Sequence, residues 1–188
     1  LFTSDHGEML GDHHLFRKMQ PYEACVRVPF LLSGPGVPAE VTINDPVSLI
    51  DILPTFCELA GAEVPDHVEG RSVLPLLRGE RPEPPRIVHG EFPHVAYVTN
   101  HQGCHYLTDG RSKYIWFPGS GREQFFDVEA DPHEMRNLAS DSNRADEVSR
   151  WRTRLAVHLR NRPEGFSDGS TLNPEARHRS LLPHAVPV

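Results

Sequence analysis

Leu1-Phe2-Thr3-Ser4-Asp5-His6-Gly7-Glu8-Met9-Leu10-Gly11-Asp12-His13-His14-Leu15-Phe16-Arg17-Lys18 is the stretch on which the reading of this chain turns. An apolar lead-in, Leu1 to Thr3, runs into Ser4-Asp5-His6-Gly7. That is the pattern of a buried parallel strand over 1–4 that ends in a polar loop over 5–22. Open α/β sheets place their ligand sites at that edge. The loop gathers a carboxylate, an imidazole and a glycine that allows close backbone approach. Gly11-Asp12-His13-His14 follows, and then two cations, Arg17 and Lys18. Metal ligands followed by cations suit a metal ion and a tetrahedral oxyanion held side by side.

Outward from the loop, Cys25 to Leu32 predicts a second buried strand, with Pro29 awkward for central pairing. Gly34-Pro35-Gly36 stops it. Over 46–61 a helix is expected. Ser48 and Asp51 form a capping box, Ile52, Leu53, Phe56, Leu59 and Ala60 share one face, and Gly61 ends it. Arg81-Pro82-Glu83-Pro84-Pro85 reads as a linker or surface crossing. Short β-type runs then appear at 87–92, 96–99, 104–108, 113–117 and 124–128. Turn signals such as Asp109-Gly110 and Gly119-Ser120-Gly121 separate several of them, which predicts a small antiparallel sheet. A helix is expected over 145–159, with Val148, Trp151, Leu155 and Leu159 as its apolar stripe. Residues 162–188 show no periodicity and read as an extended tail, draped on the body or on a neighbouring subunit. No internal repeat is evident.

Composition narrows the function classes. The 188 residues suit a single domain, and 38% hydrophobic content suits a soluble protein. The net charge of −7, with no strongly basic stretch, argues against nucleic acid as the main partner. No apolar run approaches the roughly 18 residues of a membrane span. Cys25, Cys57 and Cys104 are odd in number and widely spaced. They form neither a disulfide framework nor a zinc pattern, which favours a reducing, cytoplasmic compartment and leaves localisation otherwise open. Residue 1 is not Met and already reads as strand. The expectation is therefore the C-terminal part of a longer protein.

The Thr-Ser-Asp-His-Gly-Glu run, the Leu-Gly-Asp-His after it and Lys18 downstream resemble the second metal-binding segment of the sulfatases. These belong to the alkaline-phosphatase-like superfamily, with the phosphonate monoester hydrolases as near relatives. Later stretches resemble the same family: Arg27-Val28-Pro29-Phe30 with Gly34-Pro35-Gly36, Gly70-Arg71-Ser72 leading to Leu74-Pro75-Leu76-Leu77-Arg78-Gly79, and Asp127 to Glu134 with Asn137-Leu138. The resemblance implies an α/β fold: the C-terminal part of a mixed sheet with flanking helices over 1–80, then a small antiparallel β-sheet subdomain with a packed C-terminal helix over 81–161, then the tail.

The resemblance also implies the chemistry. Asp5 and His6 would ligate a divalent cation, calcium being the usual ion and magnesium or manganese occurring in relatives. Lys18 would contact the sulfate, and His13 would be a further substrate contact. His89, Glu91, His94, His101 and His105 form a histidine-rich patch with open readings. They are surface and turn histidines, or some reach the active-site mouth and select the alcohol, as relatives use this subdomain, with His89 and His105 as the candidates. A zinc site there would lack cysteine pairs or helical His spacing. The formylglycine motif C/S-x-P-x-R of sulfatases is absent, and Cys25 is followed by Val-Arg-Val-Pro, in the wrong order. The nucleophile is thus expected outside this chain, which alone is expected not to turn over a substrate. The parent reaction would be hydrolysis of a small-molecule or saccharide sulfate ester. Alternatives are a phosphonate monoester or phosphodiester hydrolase, and an inactive fragment or binding module. The tail is the expected route to any homo-oligomer.

Overall fold

The computed structural model describes residues 1–93 and 103–178. The expected strand at 96–99, with His94 and His101, lies outside them. The fold is mixed α/β. Strand β1 (Phe2–Thr3) pairs antiparallel with β2 (Phe30–Leu31), Phe2 opposite Leu31. This corrects the expectation of a buried parallel strand: Phe2 is 65% and Leu31 63% exposed, and no described residue covers them. Cys25–Leu32 is also corrected. Its first residues belong to a short helix, α1 (Glu23–Val26), and only Phe30 and Leu31 are strand. A short apolar run has no periodicity that separates the two states. Cys25 is drawn in by contact with Met9 and Tyr22.

The helical segment over 46–61 forms as expected. A 3-10 turn (Leu49–Asp51) carries the Ser48–Asp51 capping box and continues into α2 (Ile52–Ala60), which Gly61 ends at φ +64°. Asp51, Pro54 and Thr55 are its buried residues, and Leu53, Phe56 and Leu59 of the expected apolar face stay exposed. The Asp51 carboxylate accepts the backbone N–H of Ser48 at 2.7 Å and of Arg71 at 2.8 Å, and pairs with the Arg86 guanidinium. Thr55 donates to the Asp51 carbonyl and accepts from the Val73 N–H. Gly70 is required there, because a Cβ would lie 2.0 Å from the Ile50 carbonyl oxygen. The short helix α3 (Leu74–Leu77) follows.

The C-terminal half is a four-stranded antiparallel meander, β3 (Val88–Phe92), β4 (Cys104–Thr108), β5 (Ser112–Phe117) and β6 (Arg122–Asp127), in sequential order. The β4–β5 turn closes as its sequence implied: Asp109 Oδ1 accepts the N–H groups of Arg111 and Ser112, and Gly110 takes φ +87°. Helix α4 (Ala145–Leu159) lies on one face. Val148, Trp151, Leu155 and Leu159 are buried there against Leu107, Tyr114, Trp116 and Phe125. Residues 162–178 fold back onto the same layer, burying Phe166, Leu172 and Ala176. As far as it is described, the tail is draped on the body, as one of the two expectations had it, and plugs three side chains into the core. Period-two alternation sends Cys104, Ile115, Phe117 and Phe126 to the other face, where they meet Met9, Tyr22 and Cys25. The sheet is thus sandwiched between α4 and the N-terminal loop.

Candidate metal and substrate-anion site

The N-terminal loop is shaped by its own backbone. Gly7 and Glu8 donate their N–H groups to the carbonyls of Cys25 (2.7 Å) and Ala24 (3.0 Å). A Cβ on residue 7 would sit 2.0 Å from the Ala24 oxygen, so glycine is obligatory there. The Glu8 carboxylate closes the loop by accepting the Arg17 N–H. That fold-back carries Lys18 to the start of the loop, where its Nζ lies 2.8 Å from His6 Nε2.

His6 is oriented by its neighbours. Its Nδ1 lies 2.7 Å from the Gly7 carbonyl oxygen. A carbonyl only accepts, so Nδ1 carries the proton and Nε2 presents a lone pair. This backbone partner on the far ring nitrogen is what fixes the tautomer of a metal-ligating histidine. Asp5 Oδ2 stands 3.4 Å from His6 Nε2, and the Asp5 side chain is largely exposed. Oδ1 of Asp5 caps the His6 N–H at 3.0 Å, which holds the carboxylate in place. An imidazole lone pair and a carboxylate oxygen on one rim, with an ammonium beside them, fit a divalent cation and a tetrahedral anion. Asp5, His6 and Lys18, read from the sequence as one site, are brought together.

His13 stands apart from this grouping. Its Nε2 donates to the His133 carbonyl at 2.9 Å, and its ring stacks on Tyr22 at 4.2 Å. These contacts make it an anchor between the loop and the C-terminal half. A stronger anchor escaped the sequence. Lys113 of β5 is fully buried, and its Nζ pairs with Glu23 (2.6 Å) and Glu134 (2.8 Å) and donates to the Pro21 carbonyl (3.1 Å). Glu134 Oε2 accepts the Glu23 N–H at 2.6 Å. Burial pushes the Glu134 carboxyl upward, against the pull of Lys113. The signal was present: Lys113 shares its strand face with Ile115 and Phe117, both core residues.

His89 and His105, the other expected substrate contacts, also stand apart from Asp5, His6 and Lys18. They lie with Glu91 on the α4 face of the sheet, opposite the face that meets the N-terminal loop. His105 is 0% exposed, packed against Trp116, Phe166 and His178. It has no surface to offer a substrate. Burial lowers His89 to about 3 and His178 to about 4, and it also lowers His158. The His105 ring holds Glu91 at about 2.

A mixed α/β body carrying an antiparallel sheet and a closing helix is the C-terminal architecture of the alkaline-phosphatase-like fold. The chain belongs to the sulfatase family: the family model described as N-sulphoglucosamine sulphohydrolase, C-terminal, matches residues 11–161. An arylsulfatase of Clostridium perfringens is 36% identical over 176 residues, covering 92% of this chain and 36% of the relative. Arylsulfatase K of Mus musculus is 36% identical over 149 residues, covering 75% and 27%. The chain therefore spans about a third of the length of the curated relatives it matches. Among solved structures, a 2-O GAG sulfatase superposes with TM-score 0.77 at 26% identity, over 94% of this chain and 41% of that one. A phosphonate monoester hydrolase from Silicibacter pomeroyi gives 0.74 at 29% identity, over 92% and 38%. Among the described residues, no helix is long and apolar enough to cross a membrane.

Proposed function

We propose that this chain is the C-terminal portion of a sulfatase that hydrolyses sulfate esters to an alcohol and sulfate, and that it supplies the ligands Asp5 and His6 and the anion contact Lys18. One observation carries the reading: the Gly7 carbonyl fixes the His6 tautomer so that Nε2 faces Asp5 Oδ2 and Lys18 Nζ at 3.4 and 2.8 Å. Calcium is the ion we assign, and a small-molecule or saccharide sulfate ester the substrate. When bound, the cation supplies charge stabilisation at the sulfuryl oxygens. The chain's own residues do the positioning. Gly7 keeps the loop against α1, Glu8 closes it, and Lys18, held at 2.8 Å from His6 Nε2, offers an ammonium to the charge that develops on the transferring group. The formylglycine nucleophile belongs to a part of the protein other than this chain, since no C/S-x-P-x-R occurs in it. The relatives named arylsulfatase support the sulfate-ester reading over the phosphonate one, and relative rates on an aryl sulfate and a phosphonate monoester test that preference.

The test is made in the whole protein. Asp5→Asn should lose bound calcium, measured by elemental mass spectrometry, and aryl sulfate turnover together, with the circular dichroism spectrum kept. Lys18→Ala should retain calcium and lower kcat/KM by about 10²–10³, the scale for losing one transition-state charge contact. Turnover that survives Asp5→Asn would overturn the assignment.

A further inference from the structure

The α4 face of the sheet carries a second donor set that the sulfatase reading does not use. His89 and Glu91 are two residues apart on β3, so they share one face. His105 is the cross-strand partner of Glu91 on β4. His89 Nε2 lies 3.2 Å from His105 Nδ1, and His105 Nδ1 lies 3.2 Å from Glu91 Oε2. All three donor atoms fall within 4.8 Å of one another. Zinc binds imidazole nitrogen and carboxylate oxygen at about 2.0–2.2 Å in tetrahedral sites, so neighbouring ligand atoms stand about 3.3 Å apart. The His89–His105 and His105–Glu91 separations match that edge.

The hydrogen-bond alternative leaves the cluster poorly satisfied. His105 Nδ1 carries at most one proton when the ring is neutral, yet two groups crowd it at 3.2 Å. One cation at the centre of the three atoms would engage all of them at once. Calcium does not suit the set, since it seeks six to eight oxygen ligands at about 2.3–2.6 Å. Arg162 holds the carboxylate from the outside, with Nη1 at 3.2 Å from Oε1 and 3.1 Å from Oε2 of Glu91.

We propose that His89, Glu91 and His105 form a zinc-class transition-metal site, separate from the Asp5–His6 loop, that pins β3 to β4 beneath the segment 162–178. The ligands come from two adjacent antiparallel strands, a rigid template that needs no loop to close. The fourth position is left for water.

The test uses the whole protein, stripped with a chelator and returned to excess calcium so that the Asp5–His6 loop is satisfied. Cobalt(II) is then titrated as a spectroscopic probe, and zinc is used to displace it. The expected result is one equivalent of cobalt with the intense visible bands of a four-coordinate ion, bleached by one equivalent of zinc. His89→Gln and Glu91→Gln should each weaken cobalt binding by at least about 100-fold, since even losing an outer partner of a ligand costs about 10–100-fold. Asp5→Asn should leave this titration unchanged, so the site can fail without the sulfatase reading failing, and the reverse. Zinc should also raise the thermal midpoint of the wild type and not of Glu91→Gln. No tetrahedral cobalt spectrum in the wild type, or one indifferent to both Gln variants, would overturn the proposal.

Discussion

Lys113 is a fully buried ammonium between two carboxylates, and what it holds is the loop that presents Asp5 and His6. Removing one partner of such a pair leaves uncompensated buried charge, a loss of about 3–5 kcal/mol. Lys113→Met is expected to destabilise the protein by that amount in urea unfolding. It should also raise amide hydrogen exchange over residues 5–26 more than over α4. Uniform exchange would mean that the triad contributes stability without positioning the loop. The closeness of Asp5, His6 and Lys18 was legible in the sequence because their spacing is local and falls inside one resemblance. The triad was not, because Glu23, Lys113 and Glu134 are scattered along the chain and only the folded register of β5 brings them together. The anchoring contact of His13 was hidden for the same reason: its partner, the His133 carbonyl, lies 120 positions away.

Among the elements, α4 was legible to the residue, since a stripe of Val148, Trp151, Leu155 and Leu159 has no reading other than an amphipathic helix. It is fastened to β6 by Arg152, whose Nε and Nη2 meet the two oxygens of Glu123 at 2.5 and 2.6 Å. Burial pushes Glu123 up, but the Arg152 guanidinium and the Tyr114 hydroxyl outweigh it and hold the carboxyl below its ordinary value of 4.5. A carboxyl depressed by folding adds stability above its unfolded value, and that stability is lost as the pH falls through the folded value. Unfolding free energy should therefore decline below about pH 4.5, and Glu123→Gln should make that acid limb shallower in denaturant titrations. An identical acid limb in the variant would exclude the pair as a source. Short elements were less legible. Helix α1 hides in an apolar run that reads equally well as strand, and contacts with Met9 and Tyr22 decide it.

At the scale of the whole molecule, the segment after α4 is draped on the body and adds to its core. Its prolines and glycines carry no period, yet Phe166 reaches 0% exposure between Trp116, His105 and His178. Phe166→Ala should lower stability by about 3–5 kcal/mol, the scale for emptying a buried aromatic site. A loss under 1 kcal/mol would mean that the segment merely rests on the surface. Helix α2 shows the converse: Leu53 and Phe56 stay 50% and 43% exposed, because the polar Asp51 and Thr55 take the inner side. The sheet itself has a further consequence. Its two faces serve different neighbours, and which side chain faces which is set by odd or even position along the strand. Lys113 on one face and Tyr114 and Trp116 on the other are kept apart by parity alone. Natural variation in 112–117 should therefore run to substitutions and exclude single-residue insertions and deletions. One added codon would send the ammonium towards α4 and an aromatic ring towards the loop, dismantling both layers at once.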